Sequence, residues 1–90
     1  MYKILYVEKV VDEDIPNIFE PWKSEIKQAI EMKIMTRPEV YSRPLRRSLK
    51  GYRKLKVGAY RIVLRVEVNK VKIFVIQHRS IVYDTAPKRL

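Results

Sequence analysis

The residues best suited to chemistry lie between Leu49 and Tyr83, in the run LKGYRKLKVGAYRIVLRVEVNKVKIFVIQHRSIVY. Tyr60, Ile62, Leu64 and Val66 alternate with Arg61, Val63, Arg65 and Glu67. Leu55 and Val57 alternate in the same way with Lys54 and Lys56, and period two is the mark of a strand with one buried face. Gly58-Ala59 between these runs suits a two-residue hairpin turn of type II′. Such a turn pairs Val57 with Tyr60, Lys56 with Arg61, Leu55 with Ile62, Lys54 with Val63 and Tyr52 with Arg65. The apolar residues then share one face and the cations the other, and a slip by one residue would mix the two sets. Lys56 facing Arg61 is a like-charge pair, which costs stability unless the site holds an anion.

The second hairpin turn is expected at Asn69-Lys70, because asparagine tolerates the left-handed conformation. That turn pairs Glu67 with Lys72 and sets His78 opposite Arg61. The cationic face then carries Lys54, Lys56, Arg61, Arg65 and His78, with Phe74 and Ile76 between them. Such a set can hold a phosphate and stabilise charge that develops on it. RNA is the natural substrate, since its own 2′-hydroxyl supplies the nucleophile and the protein need only deprotonate, align and stabilise.

Composition removes the alternatives that need other groups. The 90 residues include no cysteine and one histidine, so no thiol chemistry, disulfide framework or metal-ligand set is visible. Gly51 and Gly58 are the only glycines, which excludes a phosphate-cradling glycine loop. No cofactor is implied. No apolar run is long enough to span a bilayer and no signal peptide is present, so a cytoplasmic location is expected. Charge is uneven along the chain. Residues 1–40 hold six Lys/Arg against eight Asp/Glu, a net of −2, and residues 41–90 hold fourteen against two, a net of +12. Such polarity points to a polyanionic partner, nucleic acid before a membrane surface, because the cations lie on strands rather than along an amphipathic helix.

The remaining elements position this face. One domain is expected over residues 1–90, with an α+β fold. Residues 1–8 read as a strand covered on at least one face. Asp12, Glu13 and Asp14 open a short helix to about Glu20, where Asp12 or Asp14 caps the first amides. Pro21 starts a second helix to Met35, with Trp22, Ile26, Ala29, Ile30 and Ile34 as its apolar stripe against the sheet. Pro38 to Ser48 reads as an extended, exposed connection. Its Arg43, Arg46 and Arg47, with Lys50, Arg53, Arg65 and His78, are candidate RNA-binding residues. Asp84 to Leu90, with Pro87, reads as an irregular tail.

The run PEVYSRPLRRSLKGYRKLKVGAYRIVLRVE, followed by VKIFVIQHRSIVY, resembles the RelE/ParE toxin superfamily of type II toxin–antitoxin systems. The likeness rests on the proline–leucine before the basic strand, the KVGAYR hairpin and the terminal HRSIVY, and it covers nearly the whole chain. It implies a β-α-α-β-β-β fold with a helical hairpin on an antiparallel sheet. It also implies a toxin silenced by a small acidic antitoxin, meeting operator DNA only through the antitoxin complex. RelE-like members cleave messenger RNA on the ribosome by 2′-hydroxyl attack without a metal; ParE-like members poison DNA gyrase. Carried over, the resemblance assigns catalysis to Lys54, Lys56, Arg61, Arg79 and Tyr83. The expected register places Arg79 on the face away from Arg61, unless a bulge turns it back. A non-catalytic basic RNA-binding module is the third reading.

Overall fold

The computed structural model describes residues 1–46 and 49–90, so Arg47 lies outside the described residues. A five-stranded sheet runs in the order β1-β5-β4-β3-β2, built from β1 (Lys3–Tyr6), β2 (Arg43–Pro44), β3 (Arg53–Val57), β4 (Tyr60–Val66) and β5 (Lys70–His78). Strand β1 lies parallel to β5 and the other neighbours are antiparallel. Helix α1 comprises Val10–Asp14 and the tighter turn Ile15–Asn17; α2 runs from Trp22–Ala29 on through Ile30–Ile34. A single turn, α3 (Pro38–Tyr41), and a C-terminal helix, α4 (Val82–Arg89), complete the α+β fold.

The two-helix layer forms because its apolar stripe has a matching sheet face. Ile26, Ile30 and Ile34 of α2 are buried with Val10 and Ile18 against Leu55, Ile62, Leu64, Val71, Ile73 and Ile76. Trp22 is fixed at the first turn of α2, where its ring lies 6.0 Å from that of Tyr60. Just before it, Glu20 accepts the Ser24 N–H at 3.0 Å and the Ser24 hydroxyl at 2.8 Å, which holds its carboxyl below the usual range. The acidic run at α1 acts differently from expectation. The helical residues begin before Asp12, and Asp14 is buried at the far end, making no capping bond.

The first hairpin has the expected register, Lys56 opposite Arg61 and Val57 opposite Tyr60. Gly58 sits at φ +58°, the left-handed region that a primed turn needs. Hydrogen is also the only side chain that fits there, since a Cβ would overlap the Trp22 ring.

The second hairpin departs from expectation. Arg65, not Glu67, pairs with Lys72, and a bulge shifts the register so that Val63 meets Val75 while Leu64 meets Ile73. One extra residue on β5 moves every later side chain by one place. Gln77 therefore stands opposite Arg61, His78 opposite Tyr60, and Ile76 opposite Ile62 in the helix-facing core. His78 and Ile76 thus leave the cationic face that the sequence alone assigned them.

Two further segments are more ordered than expected. Within 38–46, Pro38–Tyr41 is helical and Arg43–Pro44 pairs with β3 as an edge strand. The tail forms α4, which lies on the cationic face of the sheet. Its Val82 and Ala86 pack on Val63 and Val75, all four fully buried. The central strands are covered on both faces, which explains why Ile62, Val63 and Leu64 are buried in succession.

Candidate functional site

Covering the centre of the cationic face leaves its β2–β3 end open. There, a cleft of ≈ 600 Å³ is lined by Arg43, Arg46, Lys54, Lys56 and Tyr83, with Pro44, Leu45 and Leu49 as apolar lining. Each wall has a local cause. Alternation on β3 turns Lys54 and Lys56 to this side while Leu55 enters the core. Strand β2 aligns Arg43 with Lys54. The first turn of α4 carries Tyr83, whose hydroxyl lies 3.5 Å from the Lys54 Nζ. The same ammonium stands 5.5 Å from the Tyr83 ring centroid, within cation–π range.

Four cations and a phenol thus meet in one cleft, with no acid in its described lining. An ammonium at the edge of a phenol hydroxyl favours any negative charge that develops nearby. A phosphodiester fits the whole set: a charge-diffuse anion between cations, with apolar surface beside it for a base or sugar.

Other expected residues are placed elsewhere. Arg61 is 9 % exposed and its Nη1 donates to the carbonyl oxygens of Gly58 and Tyr60, both at 2.9 Å. One nitrogen of its guanidinium is therefore held by the hairpin it belongs to, and Arg61 is not among the residues lining the cleft. Arg53 is committed to the fold. Its Nε donates to Ser42 Oγ at 2.7 Å, and its Nη2 to the Glu39 and Ser42 carbonyls at 3.1 and 3.0 Å. Arg65 stands 5.6 Å from the Tyr52 ring and 4.0 Å from Glu67. Lys50 is exposed in the turn before β3.

His78 lies on the opposite side of the sheet, edge-on to Tyr60 at 5.9 Å. Its Nδ1 accepts the Ser80 N–H at 3.1 Å. Arg79 lies just past the end of β5, exposed, with its N–H donating to Ala59 O at 2.8 Å.

One cluster has no counterpart in the sequence reading. Arg89 donates from Nη1 to Asp14 Oδ2 at 2.6 Å and from Nη2 to Asp14 Oδ1 at 2.9 Å. These bonds raise the Arg89 pKa above its ordinary value, against the effect of burial. The only forewarning was three consecutive acids in an otherwise basic chain, and their position at a helix start gave them a simpler explanation.

Among the described residues, no group of three or more His, Cys, Asp or Glu is placed to hold a metal ion, and no helix is long and apolar enough to cross a membrane.

The comparisons with known proteins agree with this architecture. The family described as "ParE toxin of type II toxin-antitoxin system, parDE" matches residues 8–83. The chain belongs to that family, and so to the RelE/ParE superfamily of type II toxins. Among solved structures, it is similar to a chain of the RelBE2 toxin–antitoxin complex from Mycobacterium tuberculosis. There the TM-score is 0.73 and the identity 22 %, over 87 % of this chain and 98 % of that one. A chain of the RelB–RelE antitoxin–toxin complex from Methanococcus jannaschii matches at TM-score 0.70 and 20 % identity, covering 90 % and 96 %. A conserved hypothetical protein from Helicobacter pylori matches at 0.65 and 18 %, covering 89 % and 97 %. No match was found among curated proteins.

Proposed function

We propose that this toxin is an endoribonuclease that cuts messenger RNA on the ribosome, in the cytoplasm, and so stops translation. The observation that carries the reading is the Lys54–Tyr83 contact inside a cleft with three further cations. In the reaction, the 2′-oxygen attacks the adjacent phosphorus as the bond to the 5′-oxygen breaks, and the 2′-hydroxyl proton passes by way of the Tyr83 hydroxyl to the departing 5′-oxygen. The products are a 2′,3′-cyclic phosphate and a new 5′-hydroxyl. Lys54 neutralises the charge that builds on the phosphate oxygens, and Tyr83 gives or relays the proton. Lys56, Arg43 and Arg46 hold the flanking phosphates. Arg79, exposed just past the end of β5, is a further cation for the phosphates of the message. Arg61 acts through the hairpin that presents Lys56 rather than on the phosphate itself.

The +12 half of the chain calls for a cover in the cell. Both neighbouring complexes pair a toxin with an antitoxin. By analogy, an antitoxin with an acidic toxin-binding segment is the partner of this chain. A gyrase-directed poison is the second reading, favoured by the family whose profile matches the chain.

A translation extract programmed with one defined message separates the two. New 3′ ends within codons, formed only when ribosomes are present, are expected. Intact message combined with loss of supercoiling by purified gyrase would overturn the ribonuclease reading in favour of the second.

A further inference from the structure

Tyr83 reaches the cleft only because α4 lies on the sheet, and α4 is a weak helix by itself. It has eight residues, too few to persist alone in water. Pro87 lies inside it and removes the N–H that would bond the Tyr83 carbonyl. Val82 and Ala86 are its buried apolar contacts.

What fastens its other end is Arg89. Besides the two bonds to Asp14, its Nη1 donates to Phe74 O at 3.1 Å. Asp14 in turn accepts the Ile76 N–H at 2.8 Å and the Gln77 side-chain amide at 3.2 Å. The side chains of this pair are 7 % and 1 % exposed, whereas both partners of the lysine–glutamate and Arg65–Glu67 pairs are at least 29 % exposed. Its location has a cause in the topology. Strand β1 pairs with β5 only as far as Ile73. Beyond that point, Phe74 O and Ile76 N–H face an edge without a strand, and the Asp14–Arg89 pair bonds both. Arg89 thus ties α4 to α1 and β5 together.

We propose that Asp14 and Arg89 are a positioning pair for the cleft: they hold α4 down, and so hold Tyr83 against Lys54. The pair lies about 9 Å along the helix axis from Tyr83 at 1.5 Å per residue, and it touches no substrate. The proposal rests on reading the Lys54–Tyr83 cleft as the site of RNA cleavage. Arginine is needed because a planar fork serves both carboxylate oxygens and a carbonyl, whereas lysine offers a point charge.

The test uses the full-length toxin as wild type, Arg89→Lys and Arg89→Ala, each with and without Tyr83→Ala. Hydrogen exchange and single-turnover cleavage on programmed ribosomes are both measured. Exchange of the α4 amides should quicken about 10-fold in Arg89→Lys and about 100-fold in Arg89→Ala, while β4 and β5 stay protected. Cleavage should fall in the maximal rate rather than in apparent affinity, because Arg43 and Arg46 still hold the phosphates. In the Tyr83→Ala background, Arg89→Ala should cost nothing more, since the two act as one unit.

If Arg89→Ala fails to fold, Arg89→Lys keeps the charge and carries the same comparison. Unchanged α4 exchange overturns the latch whatever the toxin's target. Additive losses overturn the positioning role. Wild-type cleavage by Tyr83→Ala with a loosened α4 overturns the cleft reading, and the positioning claim with it, while leaving the latch standing.

Discussion

Lys54 and Tyr83 are far apart in sequence and meet at 3.5 Å, so their roles can be separated by small changes. Tyr83→Phe keeps the ring and its cation–π contact but removes the proton. If Tyr83 transfers a proton, this change should slow cleavage by about 10²- to 10⁴-fold. If the ring only stacks on a base, Tyr83→Phe should cleave at nearly the wild-type rate. Arg61 is read differently from the sequence and from the structure. Alternation put it correctly opposite Lys56, but no pattern in the sequence could show that its guanidinium turns back onto Gly58 O and Tyr60 O. Arg61→Ala should therefore cost about 1.5–3 kcal/mol of stability, the range for losing hydrogen bonds to a charged group. Thermal melting checks this. An unchanged melting temperature with lost cleavage would return Arg61 to the phosphate.

At the scale of elements, legibility followed the strength of each local signal. The β3–β4 hairpin was readable because clean alternation and Gly58 agree on one register. The β4–β5 register was not, because Ile73, Phe74, Val75 and Ile76 are all apolar and an extra residue leaves no break in the pattern. Helix α4 was hidden by Pro87 and by its dependence on tertiary contacts that no local propensity records. The cleft was half legible: Lys54, Lys56, Arg43, Arg46 and Tyr83 were named from the sequence, but their grouping apart from Arg61 and His78 needed the bulge and α4. Gly58 offers a direct check on the hairpin that carries Lys56. Gly58→Ala adds a methyl against Trp22 and a Cβ at φ +58°. It should cost about 1–3 kcal/mol. At about 4–8 °C per kcal/mol for a domain of this size, the melting loss is easily read by calorimetry. An unchanged melting temperature would mean that Trp22 does not pack on the turn.

For the whole molecule, the separation of charge decides how the toxin meets its target. A +12 half with an open cationic cleft should bind RNA mainly through phosphates, and each phosphate neutralised steepens the salt dependence by about 0.7–0.9 in the log–log slope. With Arg43, Arg46, Lys54 and Lys56 engaged, a slope near −3 is expected, falling by about one unit in Arg46→Ala. Affinity that stays flat across salt would remove RNA as the partner. The central claim is that the Lys54–Tyr83 cleft cuts the message, and single-turnover cleavage on programmed ribosomes by wild type and Lys54→Met tests it most directly. Lys54→Met keeps the aliphatic stem and removes the charge. The account predicts a melting temperature close to wild type and cleavage slower by about 100-fold or more, as for the loss of one preorganised charge-stabilising donor. Cleavage by folded Lys54→Met at the wild-type rate would contradict it.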